Sequence, residues 1–81
     1  MADRQEQFEK VRDIIAEILA IDKNDITLQS SFKALGVDSL DMLEIIMKIE
    51  EQFSIEIDDE QAAKITTVQE AVDKIGQLVH K

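Results

Sequence analysis

Eighty-one residues, a net charge of −9 and no cysteine leave room for one domain with a modest core, over residues 1–81. They exclude a disulfide framework and a thiolate metal site, and an acidic surface is repelled at long range by nucleic acid and anionic membranes. Hydrophobic residues make up 44% and charged residues 33%, with no proline and three phenylalanines as the only aromatics, a mixture that favours helices over strands.

The first helix is expected from Asp3, with Glu6 in capping-box spacing, to about Leu19. Phe8, Val11, Ile14, Ile15, Ile18 and Leu19 recur at helical spacing, with Glu6, Lys10, Asp13 and Glu17 mostly opposite. Before it, Met1-Ala2-Asp3-Arg4-Gln5-Glu6 has no apolar stretch of signal-peptide type and is too acidic for a transit peptide. No run reaches membrane-spanning length, so a cytoplasmic protein is expected.

From Ala20 to Asp38 the helical pattern fades and Asp22, Lys23, Asn24, Asp25, Ser30 and Ser31 read as turn formers. A connection of this length needs pinning in a compact domain, and Ile26, Leu28, Phe32 and Leu35 supply the pins. The expectation is an ordered loop with a helical turn near Phe32.

Gly36-Val37-Asp38-Ser39-Leu40 then opens the most strongly patterned helix, Ser39 to about Phe53. Glycine gives backbone freedom in the approach, Asp38 stands at the N-cap, and the Ser39 hydroxyl falls in the first exposed turn. Met42, Ile45, Ile46, Ile49 and Phe53 share the core arc. Leu40 and Met47 fall on another side beside Glu44 and Glu51, a mixed patch that reads as a docking face. Between Asp38 and Glu60 stand nine acidic residues against the single Lys48, a net of −8, which leaves the remainder of the chain near neutral.

Ile55 and Ile57 alternate with Ser54 and Glu56, but no partner strand is evident, so this stretch reads as an extended connection. Asp58 or Asp59 caps a short third helix through about Lys64, with Ala62, Ala63 and Ile65 turned inward. Thr67-Val68-Gln69-Glu70 has capping-box spacing and opens the last helix, with Val68, Ala71, Val72, Ile75, Leu78 and Val79 as its stripe. The fold expected is an all-α four-helix bundle: three longer helices, one short third helix, and a long ordered loop between the first two.

Catalytic residues are not expected. Serine catalysis needs a base in hydrogen-bond reach, and the only histidine is His80, at the tail. The serine also lacks the flanking glycines of a nucleophile elbow. Asp22, Asn24 and Asp25 loosely evoke a calcium loop, but Ile26 occupies a ligand position and no glycine sits sixth, so no metal site is expected. What remains is a serine that another protein modifies. A phosphate ester on Ser39 would sit against free backbone N–H groups at the positive end of the helix dipole.

These residues resemble the acyl carrier protein family over nearly the whole chain. Asp38-Ser39-Leu40 reproduces the motif at the start of the family's second helix. Leu35-Gly36, Asp41, Glu44, Glu50-Glu51, Phe53, Ile55-Glu56-Ile57 and Lys64-Ile65-Thr66-Thr67-Val68 match as well. The resemblance implies a covalent 4′-phosphopantetheine arm on Ser39, flanked by Asp38 and Leu40. A phosphopantetheinyl transferase would install it from coenzyme A. It further implies acyl thioesters on the arm, and acyl-processing enzymes whose basic patches dock on Leu40, Asp41, Glu44, Met47, Glu50 and Glu51. A monomeric carrier in fatty acid biosynthesis is the leading expectation, with a growing acyl chain inserted between helices near Met42, Ile46, Ile65 and Ala71. Ala34, Lys48 and Asp58 depart from the family pattern and bear on which partners it serves. A specialised polyketide, aminoacyl or lipid-modification carrier is therefore the alternative, and an unmodified acidic interaction module is the alternative of another class.

Overall fold

The computed structural model describes residues 4–79. Among them the chain forms α1 (Arg4–Leu19), a 3₁₀ turn (Lys23–Asp25), α2 (Ser39–Phe53), α3 (Asp59–Ala63) and α4 (Val68–Val79), with no strand beyond an isolated bridge between Ser31 and Thr67. The architecture is the expected all-α bundle with a short third helix. The expected start of α1 at Asp3, and its pairing with Glu6, lie outside the described residues, as does His80.

The apolar stripes meet in one core. Val11 and Ile15 of α1, Ile45 and Ile49 of α2, and Val68, Val72 and Ile75 of α4 have no measurable exposure. Helix α1 lies against both α4 and α2. Burying each of these β-branched side chains is worth about 1.5–3 kcal/mol, and in a chain without cross-links this is the main source of stability.

Asp58 is the cap of α3, and it makes a reciprocal capping box with Gln61. This helix ends at Ala63 with Lys64 as its cap, as expected, and one expectation is corrected: Ala63 is exposed. Five residues make little more than one turn, so only Ala62 of the alanine pair can face the core. Val79, placed on the core stripe of the last helix, is also exposed.

The long loop is ordered by bonds that no local pattern reveals. Val68 and Gln69 donate to the carbonyls of Ser30 and Leu28 at 3.0 and 2.9 Å, and Phe32 donates to Thr66 at 3.0 Å. The loop is thereby laced to the start of α4, while Ile26 and Phe32 are buried and Leu28 and Leu35 half-buried beneath it.

Three of the described residues have positive φ: Ala20 (56°), Ser54 (54°) and Gly36 (88°). Each sits where a helical turn closes. Ile21, Ile55 and Val37 donate back five residues, to Ala16, Glu50 and Phe32, at 3.1, 3.2 and 2.9 Å. This is the six-to-one bond of a Schellman closure. Glycine occupies this position only at Gly36; alanine and serine hold it at the other two at some steric cost.

Candidate functional site

The closure at Gly36 aims the chain into α2. Residues 32–36 form the expected helical turn near Phe32. Leu35 donates to Ser31 and Gly36 to Lys33, both at 3.1 Å, before Val37 returns to Phe32. Phe32 and Val37 join the same apolar cluster, the hydrophobic contact that commonly accompanies this motif. The turn is fixed from both sides, and the next residues enter α2 in one orientation.

Asp38 is the N-cap, in extended backbone (φ −94°, ψ −175°), and its carboxylate accepts the Asp41 N–H at 2.8 Å. Its carbonyl accepts the first helical bond, from Met42, at 2.9 Å. Ser39 is then the first helical residue, exposed. At this position its N–H and that of Leu40 have no partner within the helix. The Ser39 hydroxyl makes no hydrogen bond to any described residue. It is accessible and has no structural partner to give up. No imidazole lies among the described residues, so nothing beside it serves as a base of the serine-hydrolase type.

Two grooves flank Ser39. One, of about 290 Å³, runs between α2 and α3 and is lined by Met42, Leu43, Ile46, Ile57, Ala62 and Ala63, with Asp59 at its edge. The other, of about 340 Å³, runs on the loop side past Phe32, Val37, Met42 and Ile65, with Lys33, Asp38 and Thr66 contributing polar edges. Met42 and Ser39 line both. Of the four residues expected beside an inserted chain, Met42, Ile46 and Ile65 line these grooves. Ala71 does not: it is buried in the core, on the α4 face that packs inward.

The outer face of α2 is apolar at its centre and acidic at its margins. Leu40 is 73% exposed, and Leu43 and Met47 are each 57% exposed. Glu44 and Glu51 are exposed beside them, and Asp41 is half-buried. Leu43 was not singled out from the sequence, although it lies one turn from both Leu40 and Met47; it continues their stripe and also lines the α2–α3 groove. Glu50 differs from the other carboxylates. It is half-buried, and its Oε2 accepts the Ile57 N–H at 2.7 Å, tying the extended 55–57 segment to α2.

Behind the loop-side groove, Glu70 braces the start of α4. Its Oε1 accepts the Thr66 hydroxyl and the N–H groups of Thr66 and Thr67, and Thr67 Oγ1 accepts the Glu70 N–H in return. The bond from the Thr66 hydroxyl, followed by those from the two backbone N–H groups, holds the Glu70 carboxyl below its ordinary pKa. No group of three potential metal ligands occurs among the described residues. Asp22 instead accepts the Asn24 N–H at 2.9 Å and caps the 3₁₀ turn.

Comparison with known proteins agrees with this geometry. The family model described as a phosphopantetheine attachment site matches residues 9–75. The chain is 49% identical over 74 residues to the acyl carrier protein of Rubrobacter xylanophilus, covering 90% of this chain and 91% of that one. It is 50% identical over 78 residues to that of Guillardia theta, covering 95% and 96%. The chloroplastic acyl carrier protein 4 of Arabidopsis thaliana is 47% identical over 81 residues, which span 59% of that longer protein. Among solved structures, an acyl carrier protein from Thermotoga maritima superposes with a TM-score of 0.84 at 28% identity, covering 95% of this chain and 91% of that one. One from Enterococcus faecalis gives 0.79 at 37%, covering 95% and 99%.

Proposed function

The chain belongs to the acyl carrier protein family, whose members bear covalent 4′-phosphopantetheine and act as carriers rather than catalysts, and from that premise we propose that Ser39 is the attachment point. The observation that carries the proposal is the exposed, unbonded hydroxyl at the first position of α2, with two apolar grooves opening beside it. On transfer from coenzyme A, Ser39 Oγ forms the new phosphorus–oxygen bond and the pyrophosphate bond breaks. Adenosine bisphosphate leaves, and the hydroxyl proton passes to a base of the transferase. The arm supplies a thiol that holds acyl groups as thioesters.

This chain's own part is presentation. Asp38 and the Schellman turn hold the Ser39 backbone in place, so that the arm leaves from a fixed point. The grooves lined by Met42, Ile46 and Ile65 offer an acyl chain a place away from water. Leu40, Leu43 and Met47, bordered by Glu44 and Glu51, form the surface that the phosphopantetheinyl transferase and acyl-processing enzymes meet with basic patches. Paired charges at such a rim speed encounter and lose strength with salt, which suits partners that must release the carrier after each step. Asp41 lies at the edge of this surface near the attachment point, and Glu50 contributes mainly by holding the 55–57 segment.

The general fatty-acid role is the pathway we favour, on the close match to relatives named simply acyl carrier protein. A specialised carrier is the alternative. No helix among the described residues is long and apolar enough to cross a membrane. We assign the chain to the cytoplasm, although a chloroplastic relative shows that the family also works elsewhere.

The test is intact mass after incubation with coenzyme A and a broad-specificity transferase, followed by acyl loading. One added phosphopantetheine, bearing an acyl group that neutral hydroxylamine removes, is expected. No addition, with the chain folded and the transferase active on a control carrier, would favour an unmodified interaction module.

A further inference from the structure

The two grooves at Ser39 share a serine and a methionine but differ in charge. The α2–α3 groove has Asp59 at its edge and no cation. The loop-side groove has Lys33, the one cation among the residues lining either groove. Lys33 is exposed, and it makes no ion pair or hydrogen bond through its side chain among the described residues. Its backbone is fixed, for its carbonyl accepts the Gly36 N–H within the turn that delivers Asp38 and Ser39 to α2. Asp38, Asp41 and Glu44 follow within two turns of that point, so the other charged side chains nearest a phosphodiester on Ser39 are negative, opposed only by the backbone N–H groups at the start of α2.

Resting on the carrier reading above, we propose that Lys33 is a positioning residue for the prosthetic arm. Its ammonium faces the phosphodiester on Ser39, offsets the surrounding carboxylates, and biases the first bonds of the arm toward the loop-side groove of Phe32, Val37, Met42 and Ile65. A lysine acts here as a mobile point charge. It holds the anion without fixing it, so the arm remains free to leave for a partner's active site.

The alternative use of Lys33 is local. A lysine within the 32–36 turn can instead act on the turn itself, through packing of its stem and solvation of nearby carbonyls, and in that role it would act equally with and without the arm. A cycle of four proteins separates the two uses: apo and holo forms of the original chain and of Lys33→Gln, with mass confirming that each holo sample is loaded. Adding the arm should lower the melting temperature of Lys33→Gln by about 2–4 °C more than it lowers that of the original chain. The excess should grow in Lys33→Glu, vanish in Lys33→Arg, and fade in roughly 1 M salt. The ³¹P resonance of the holo protein should move in Lys33→Gln and stay in place in the control Lys48→Gln. Equal apo-to-holo shifts in all variants, with an unmoved ³¹P resonance, would overturn the role of Lys33 and leave the carrier reading intact. A chain that takes no arm at all would overturn both.

Discussion

The inner and outer faces of α2 share fifteen residues of helix and almost nothing else. Ile45 and Ile49 face inward with no exposure, whereas Leu40, Leu43 and Met47 face outward at 73%, 57% and 57%. Residues of the same apolar class, a turn or less apart, are thus divided between holding the bundle together and being offered to solvent. Apolar character alone does not tell a core position from a docking position. The neighbours decide: α1 packs on the inner face, and nothing among the described residues covers the outer one.

The sharpest way to break this contrast is to truncate one residue on each face. Ile49→Ala is expected to cost about 2–5 kcal/mol in denaturant unfolding, because it leaves a cavity among closely packed side chains. Met47→Ala should change stability by no more than about 0.5 kcal/mol. A comparable loss from Met47→Ala would make the outer face structural.

Charge gives a second contrast, smaller in energy. Reversing Glu44 and Glu51 to lysine should weaken docking to an acyl-processing enzyme by roughly tenfold or more, with helix content retained, and docking by the original chain should weaken as salt is raised. Glu50→Gln is expected to behave differently. It weakens the charge-assisted bond to Ile57 and should lower stability by about 1–2 kcal/mol, with a lesser effect on docking. Binding measured by titration calorimetry beside thermal melts distinguishes the two groups.

The smallest effect lies behind the loop-side groove. The folded-state pKa of Glu70 is depressed, so its contribution to stability is present above the ordinary carboxylate pKa and is lost as pH falls through the lowered folded value. Glu70→Gln should therefore be less stable than the original chain at neutral pH, and the gap should close on acidification. A gap that stays constant from neutral to acid pH would mean that the threonine bonds do not depend on the carboxylate charge.

These contrasts also mark what the sequence makes legible. The long helices follow from apolar periodicity and from caps whose partners lie three residues away, and Asp38, Asp58 and Thr67 act as that spacing implies. Ser39 stands out for the same local reason. Less legible are features that depend on distant residues. The bonds from Val68 and Gln69 to Ser30 and Leu28 join segments about forty residues apart, and the link from Glu50 to Ile57 crosses a helix end. Ala71 and Ala63 show the limit most plainly. Both are small residues on short-period patterns, yet one is in the core and the other in solvent, because helix placement rather than side-chain type settles which is covered. Leu43 was legible in principle: its spacing from Leu40 and Met47 is helical, and it was masked only by the run of apolar residues around it.

The central claim is that Ser39, and no other hydroxyl, carries the arm. Peptide mapping by tandem mass spectrometry after transferase treatment tests it most directly, with folded Ser39→Ala in parallel. The expected loss of stability in that variant is at most ~1 kcal/mol. The account predicts a single phosphopantetheine on the peptide containing Asp38-Ser39-Leu40, localised to Ser39, and none on the variant. An arm on another residue, or an arm that persists on Ser39→Ala, would contradict it.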